Sequence, residues 1–134
     1  MARWQEIDHT ADLALHVWGQ SLVELFAGAA EGMFSLVGEP DETGEWVTAS
    51  VALSAIDVES LLVDWLNELL YLHERDDVIF TAFDIASVSP LDLLAQVKGR
   101  PVAVYLAHIK ATTFNNLEVV ETAEGYETEI VFDI

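Results

Sequence analysis

Two Asp and one His fall within five residues in the segment Ile7-Asp8-His9-Thr10-Ala11-Asp12. Carboxylates and an imidazole so close could ligate a divalent cation. The same residue types also close turns through side chain-to-backbone hydrogen bonds, and spacing alone favours the turn. The other end of the chain offers a second acidic feature, Val131-Phe132-Asp133-Ile134. If nothing follows Ile134, its α-carboxylate stands beside Asp133 and supplies the hard oxygens that Ca²⁺ or Mg²⁺ prefer. Taken alone, those residues read more safely as an exposed acidic end with no role. Lys110 is one of only two lysines. It could pair with a carboxylate, or be placed to touch an acidic site or a partner. Asp64 and Glu68 are four apart, which places them on one helix face, more commonly a solvated stripe than a metal site.

Enzyme signatures are sparse. There is no phosphate-binding Gly-rich loop, no G-x-S-x-G and no H-E-x-x-H. The four histidines, His9, His16, His73 and His108, show no metal-ligand spacing among themselves. His16 and His108 fall in strand-like stretches and read as structural. A metal-dependent hydrolase using Asp12, Asp133 and His9 would need an open metal position and a placed water, and the sequence offers no further base to support it.

The 134 residues suit one domain, here taken as 1–134, able to bury a core without staples. Hydrophobic residues make up 52%, with four Trp, which argues against disorder. The absence of cysteine excludes disulfides, thiolate zinc sites and a Cys nucleophile. With no apolar leader at the start of the chain and no apolar run long enough to cross a bilayer, a cytoplasmic, membrane-free protein is expected. Twenty-four acids against five Lys and Arg give a net charge of −19. Such a surface repels phosphate backbones and attracts cations or basic proteins, so direct nucleic-acid binding is not expected.

These residues must be positioned by local elements. Leu13, Leu15 and Val17 alternate with Ala14, His16 and Trp18, a strand pattern. Ser21 with Glu24 forms a capping-box signature before the helical spacing of Leu22 to Val37, which Gly38 and Pro40 stop. A polar loop over 39–45 precedes an alternating strand, Val47 to Leu53. Asp57 can cap a helix from Val58 to about Arg75 whose apolar positions run most of the way round it. A helix of that kind must be covered on more than one side. Strand-like segments follow at 78–85, 93–98, 102–113, 117–121 and 126–133, with turn signals at Asn115-Asn116 and Glu124-Gly125. Two main helices and about seven strands, with helices early and strands late, give an α+β class.

Five blocks, in this order, resemble the archease family: Ile7-Asp8-His9-Thr10-Ala11-Asp12, Ala30-Glu31-Gly32-Met33-Phe34, Leu61 through Leu72, Lys110-Ala111-Thr112-Thr113-Phe114, and Val131-Phe132-Asp133-Ile134. The resemblance implies a three-layer β/α/β arrangement, with the two helices packed between mixed or antiparallel sheets. It also implies a non-catalytic activator of an RtcB-type RNA ligase in tRNA splicing and RNA repair, promoting the ligase's guanylylation and repeated turnover. Carried over by position, a divalent-cation site, with Ca²⁺ the expected ion, falls on Asp12, Asp133 and the main-chain or terminal oxygen of Ile134. Lys110 would lie in the same region, with Asp8 and His9 in support. The alternative is a general chaperone or modulator of RNA-modifying enzymes such as tRNA methyltransferases. Residues 39–45 and 87–100 match none of the family's blocks.

Overall fold

A computed structural model of the chain describes every residue except Met1, Ala2, Thr10, Ala11 and Asn115; for Arg3, Asp8 and His9 it describes the backbone alone. Helix α1, Leu22–Val37, begins where Ser21 Oγ accepts the Glu24 N–H at 3.2 Å, and ends as Gly38 N–H bonds the Phe34 carbonyl. Helix α2, Val58–Asp76, begins at Asp57, whose carboxylate accepts the Ser60 N–H at 2.7 Å. It ends at Asp77, in the left-handed conformation (φ 54°). Both caps satisfy backbone N–H groups that the first helical turn leaves unpaired.

The bond from Ser60 favours the charged form of Asp57 and holds its carboxyl below the usual carboxylate range. A folded pKa below the unfolded one gives stability that is complete above the unfolded value of about 3.9 and lost as pH falls through the folded value. An acid titration followed by circular dichroism should show that loss below about pH 4. Asp57→Asn, whose amide caps without titrating, should lose less stability over the same window.

Among the described residues, nine strands form two antiparallel sheets. In the first, β1 (Arg3–His9) pairs β2 (Asp12–Gly19), which pairs β9 (Gly125–Asp133). The short strands β7 (Ala111–Thr112) and β8 (Val120–Thr122) also pair β9. In the second, β6 (Asp92–Tyr105) is central: β4 (Val47–Ser54) and β5 (Val78–Val88) pair the same stretch of it, and β3 (Gly38–Pro40) pairs its far end.

The helices lie between the sheets. Helix α1 touches β1, β2 and β9 of one sheet and β3 and β5 of the other; α2 touches β7 as well as β4, β5 and β6. This is the three-layer α+β arrangement, and it explains why Leu61, Leu62, Trp65, Leu66 and Leu69 are all fully buried. The Trp65 indole N–H donates to the Phe26 carbonyl at 3.0 Å, tying the helices together. Gly32 explains part of the Ala30–Phe34 block: a Cβ there would come within 2.8 Å of Leu15 Cδ1 and 3.0 Å of Trp4 Cγ, so its absence seats α1 on β1 and β2. Among the described residues, no helix is long and apolar enough to cross a membrane.

Several details depart from the sequence reading: Gly38–Pro40 pairs as a short strand where a loop was expected, and of the stretch 117–121 only residues from Val120 join a ladder. Gly99-Arg100-Pro101 does not break the strand, and β6 runs unbroken for 14 residues. Pro101 is tolerated because its carbonyl points toward the β3/β4 side, accepting from Asp41 N–H at 2.7 Å. Its missing N–H points the same way and falls in the gap between β4, whose pairing ends at Gly99, and β3, whose pairing starts at Val102. Arg3–His9 is a strand, although it lacks clean alternation. Of the stretch expected over 102–113, only residues to Tyr105 and the pair Ala111–Thr112 join a ladder.

Candidate functional site

The first sheet brings the two ends of the chain side by side. The β2–β9 ladder pairs Leu13 with Phe132, so Asp12 and Asp133, one residue further out, take opposed positions at the sheet's end. In the β1–β2 ladder His9 pairs Asp12, and in the β7–β9 ladder Ala111 pairs Asp133. One row across the sheet therefore reads His9, Asp12, Asp133, Ala111. Lys110 N–H donates to the Asp133 carbonyl at 2.8 Å, which puts the lysine beside the same row. Ile134 follows Asp133 and is exposed. Asp8 pairs Leu13, in the next row inward. The side chains of Asp8 and His9, and residues 10 and 11 between β1 and β2, lie outside the described residues.

Alternation fixes the face. Leu13, Leu15 and Val17 pair with Phe132, Ile130 and Thr128 and look toward the helices, with Leu15, Ile130 and Phe132 fully buried. Asp12 and Asp133 are offset by one residue and lie on the opposite face. Opposed carboxylates repel, and a cation shared between them turns the repulsion into attraction. Two carboxylates with main-chain oxygens nearby form a hard donor set that suits Ca²⁺ or Mg²⁺ rather than a soft metal. Among the described residues, no group of three or more His, Asp or Glu side chains could by itself hold a metal ion. Asp12 and Asp133 would therefore be the charged core of a site completed by main-chain oxygen or by ligands from a partner.

The row is anchored from below by a residue that the sequence reading passed over. Asn67 of α2 accepts the Thr112 N–H at 2.7 Å and donates to the Thr112 carbonyl at 3.4 Å, replacing a strand partner with a side chain. Thr113 N–H bonds the Val131 carbonyl at 3.0 Å. The segment carrying Lys110 is thus fixed to both α2 and β9. The available signal was a lone amide inside the apolar run Leu61–Leu72. Asn67→Ala leaves two backbone groups of Thr112 without their partner and should destabilise the fold by about 2 kcal/mol, measured by chemical denaturation.

The remaining candidates lie elsewhere. His16 faces Glu127 at 3.4 Å and His108 faces Glu74 at 3.1 Å. His73 is buried with Nδ1 2.7 Å from the Val78 carbonyl; because a carbonyl only accepts, Nδ1 carries the proton. Asp64 is exposed and Glu68 half-buried on α2. A broad concavity of about 840 Å³, lined by Gln5, His16, Trp18, Tyr126 and Glu127 among others, opens at the opposite end of the first sheet from Asp12.

Comparison with known proteins bears on the family and the fold. A family model for the archease protein family matches residues 4–134. The chain is 34% identical over 140 residues to the protein archease of Methanosarcina barkeri, covering 98% of this chain and 96% of that one. It is 33% identical to the protein archease of Archaeoglobus fulgidus, covering 98% and 99%. In structure it resembles protein 1598 of Methanobacterium thermoautotrophicum, with TM-score 0.73, 24% identity and 98% of each chain covered. It also resembles a Thermotoga maritima protein described as an archease and possible chaperone, with TM-score 0.71, 23% identity, and 97% and 96% covered.

Proposed function

The chain belongs to the archease family, and on that premise we propose that it is a non-catalytic activator of an RtcB-type RNA ligase, working through an acidic, cation-holding tip. The observation that carries this reading is the row formed by Asp12 and Asp133 with Lys110 beside it. Asp12 and Asp133 would hold the cation, with Ca²⁺ as the expected ion, and the main-chain oxygen of Ile134 would complete the set. A bound divalent ion supplies positive charge that can balance a triphosphate. The chain's own residues do the positioning. The two carboxylates present a compact acidic point to a basic nucleotide site, where charge complementarity guides docking. Lys110 offers a second positive group close by, able to pair with phosphate oxygen or with a carboxylate of the ligase. Guanylylation would be accelerated by orienting reactants and balancing charge, with no covalent part for this chain.

The test is single-turnover guanylylation of the RtcB-type ligase from the same organism at saturating GTP and metal. The expected result is a faster first-order rate with this protein than without it. Equal rates would overturn the proposal. A second reading, a general chaperone for RNA-modifying enzymes, draws on the exposed run Val104, Tyr105 and Leu106. It differs in predicting an activity indifferent to Asp12→Ala.

A further inference from the structure

Sheet edges invite pairing, and proteins blunt them with charge, bulges, Pro or brevity. Most edges of this molecule are blunted in that way. Strand β1 carries Arg3, Glu6 and Asp8. Strand β5 carries Asp84 and two register shifts, between Phe80 and Ala82 and between Ile85 and Ser87. Strands β3, β7 and β8 have three residues or fewer. Strand β4 is the exception. Its eight residues, Val-Thr-Ala-Ser-Val-Ala-Leu-Ser, contain no charge and no Pro. They hold an unbroken register with β6 from Val47 to Ser54, and among the described residues no strand pairs the other side of β4.

We propose that β4 is the interface through which a second copy of this chain docks, its β4 running antiparallel to the first about a twofold axis at Val51. The sequence around that centre is self-complementary. A register centred on Val51 sets Ala49 opposite Leu53 of the other copy and Val47 opposite its Ala55, all on the helix-facing side. It sets Ser50 opposite Ala52 and Thr48 opposite Ser54 on the outer side. Just beyond the ladder, Trp46, 48% exposed, comes opposite Ile56, 87% exposed, at both ends of the symmetric pair. Ile56 thereby acquires a partner, and Trp46, whose ring already lies under Lys98 and Arg100, gains a second contact. A centre shifted by half a residue would set opposite faces together, and one shifted by a whole residue keeps the faces but loses the Trp46–Ile56 match.

Two copies that each carry −19 repel over most of their surface. Beside β4, however, Lys98 and Arg100, two of the five basic residues, lie over the Trp46 ring at 4.8 and 3.8 Å. These cations lower the repulsion locally, although Arg100 also bonds Glu42 at 3.1 Å and the register sets Glu45 opposite Asp57. The remaining repulsion is long-ranged and is screened by salt, while strand pairing and apolar contact are not, so the dimer should tighten as salt rises. A basic partner held by charge would show the opposite dependence. This interface is separate from the Asp12–Asp133 tip and independent of the ligase reading.

Analytical ultracentrifugation over a concentration series, at about 0.05 and about 0.5 M NaCl, tests the proposal. The expected result is a monomer–dimer equilibrium that strengthens at the higher salt. Ser50→Lys and Ser50→Glu, both at an exposed position, should each weaken it at least about tenfold in high salt, with unchanged circular dichroism. Using both signs separates a blocked edge from a change in net charge. Because the chain has no cysteine, register can be read by cross-linking: Ser50→Cys mixed with Ala52→Cys should form a disulfide dimer faster than either variant alone. A monomer at the highest soluble concentration in high salt overturns the proposal. So does a dimer indifferent to both Ser50 variants, or equal cross-linking in the mixed and single-variant samples.

Discussion

Replacing Asp12 or Asp133 by Ala should reduce the acceleration of ligase guanylylation at least about tenfold, corresponding to about 1.4 kcal/mol or more, while leaving the fold intact. The two residues occupy opposed positions at the end of β2 and β9, outside the helix-facing core. Removing either carboxylate takes away half the charged donor set. It also removes a like-charge neighbour of the other carboxylate, so for the exposed Asp133 thermal stability should shift by no more than about 0.5 kcal/mol in either direction. Because both residues would act on one ion, the double variant should be little worse than either single one, the signature of groups working as a unit. Single-turnover rates and thermal melts on the four proteins check both halves. Full activation by Asp12→Ala would favour the chaperone reading instead.

A large effect on stability is expected at Gly99. A Cβ built there lies 2.1 Å from the Ile79 carbonyl oxygen and 2.7 Å from both the Ile79 carbonyl carbon and Phe80 Cα. All three are backbone atoms of a paired strand and cannot rotate away. Gly99 sits opposite Phe80, where the β5–β6 register shifts to accommodate Thr81. The bulge pushes β5 against β6, and only a residue without a side chain accepts that approach. Gly99→Ala should therefore cost about 3 kcal/mol, a fall in Tm of roughly 10 °C for a domain of this size, read by thermal denaturation.

The same glycine shows where sequence reasoning stops. Gly99-Arg100-Pro101 carries the residues of a turn, yet each is explained by a feature of the assembled sheet. The glycine faces a bulge on β5, and the proline falls in the gap between β4 and β3. Neither neighbour is visible from local pattern. Where local chemistry decides, the reading held: Ser21 and Asp57 cap the two helices, the alternation of Leu13, Leu15 and Val17 faces the core, and the nearly all-round apolar α2 lies between two sheets. Strand β1 was missed because an edge strand need not alternate: Trp4 packs near Gly32 while Glu6, two residues on, remains exposed.

The candidate site was legible only in pieces. Asp12, Lys110 and Asp133 are far apart in sequence and each has an ordinary explanation taken singly. What joins them is the register of three strands, and nothing in the spacing of the residues states that register. The family resemblance supplied the grouping before the ladder did. Asn67, which anchors the Lys110 segment through Thr112, belongs to the structure alone, because its partner lies 45 residues away.

The proposed activity depends on one divalent cation binding where Asp12 and Asp133 meet. Calorimetric titration of the protein with Ca²⁺, set beside the same titration of Asp133→Ala, tests it most directly. Saturable one-to-one binding is expected in the wild type and its loss in the variant. Wild-type protein that takes up no calcium, or a variant that binds it equally well, would rule out a shared cation at this tip.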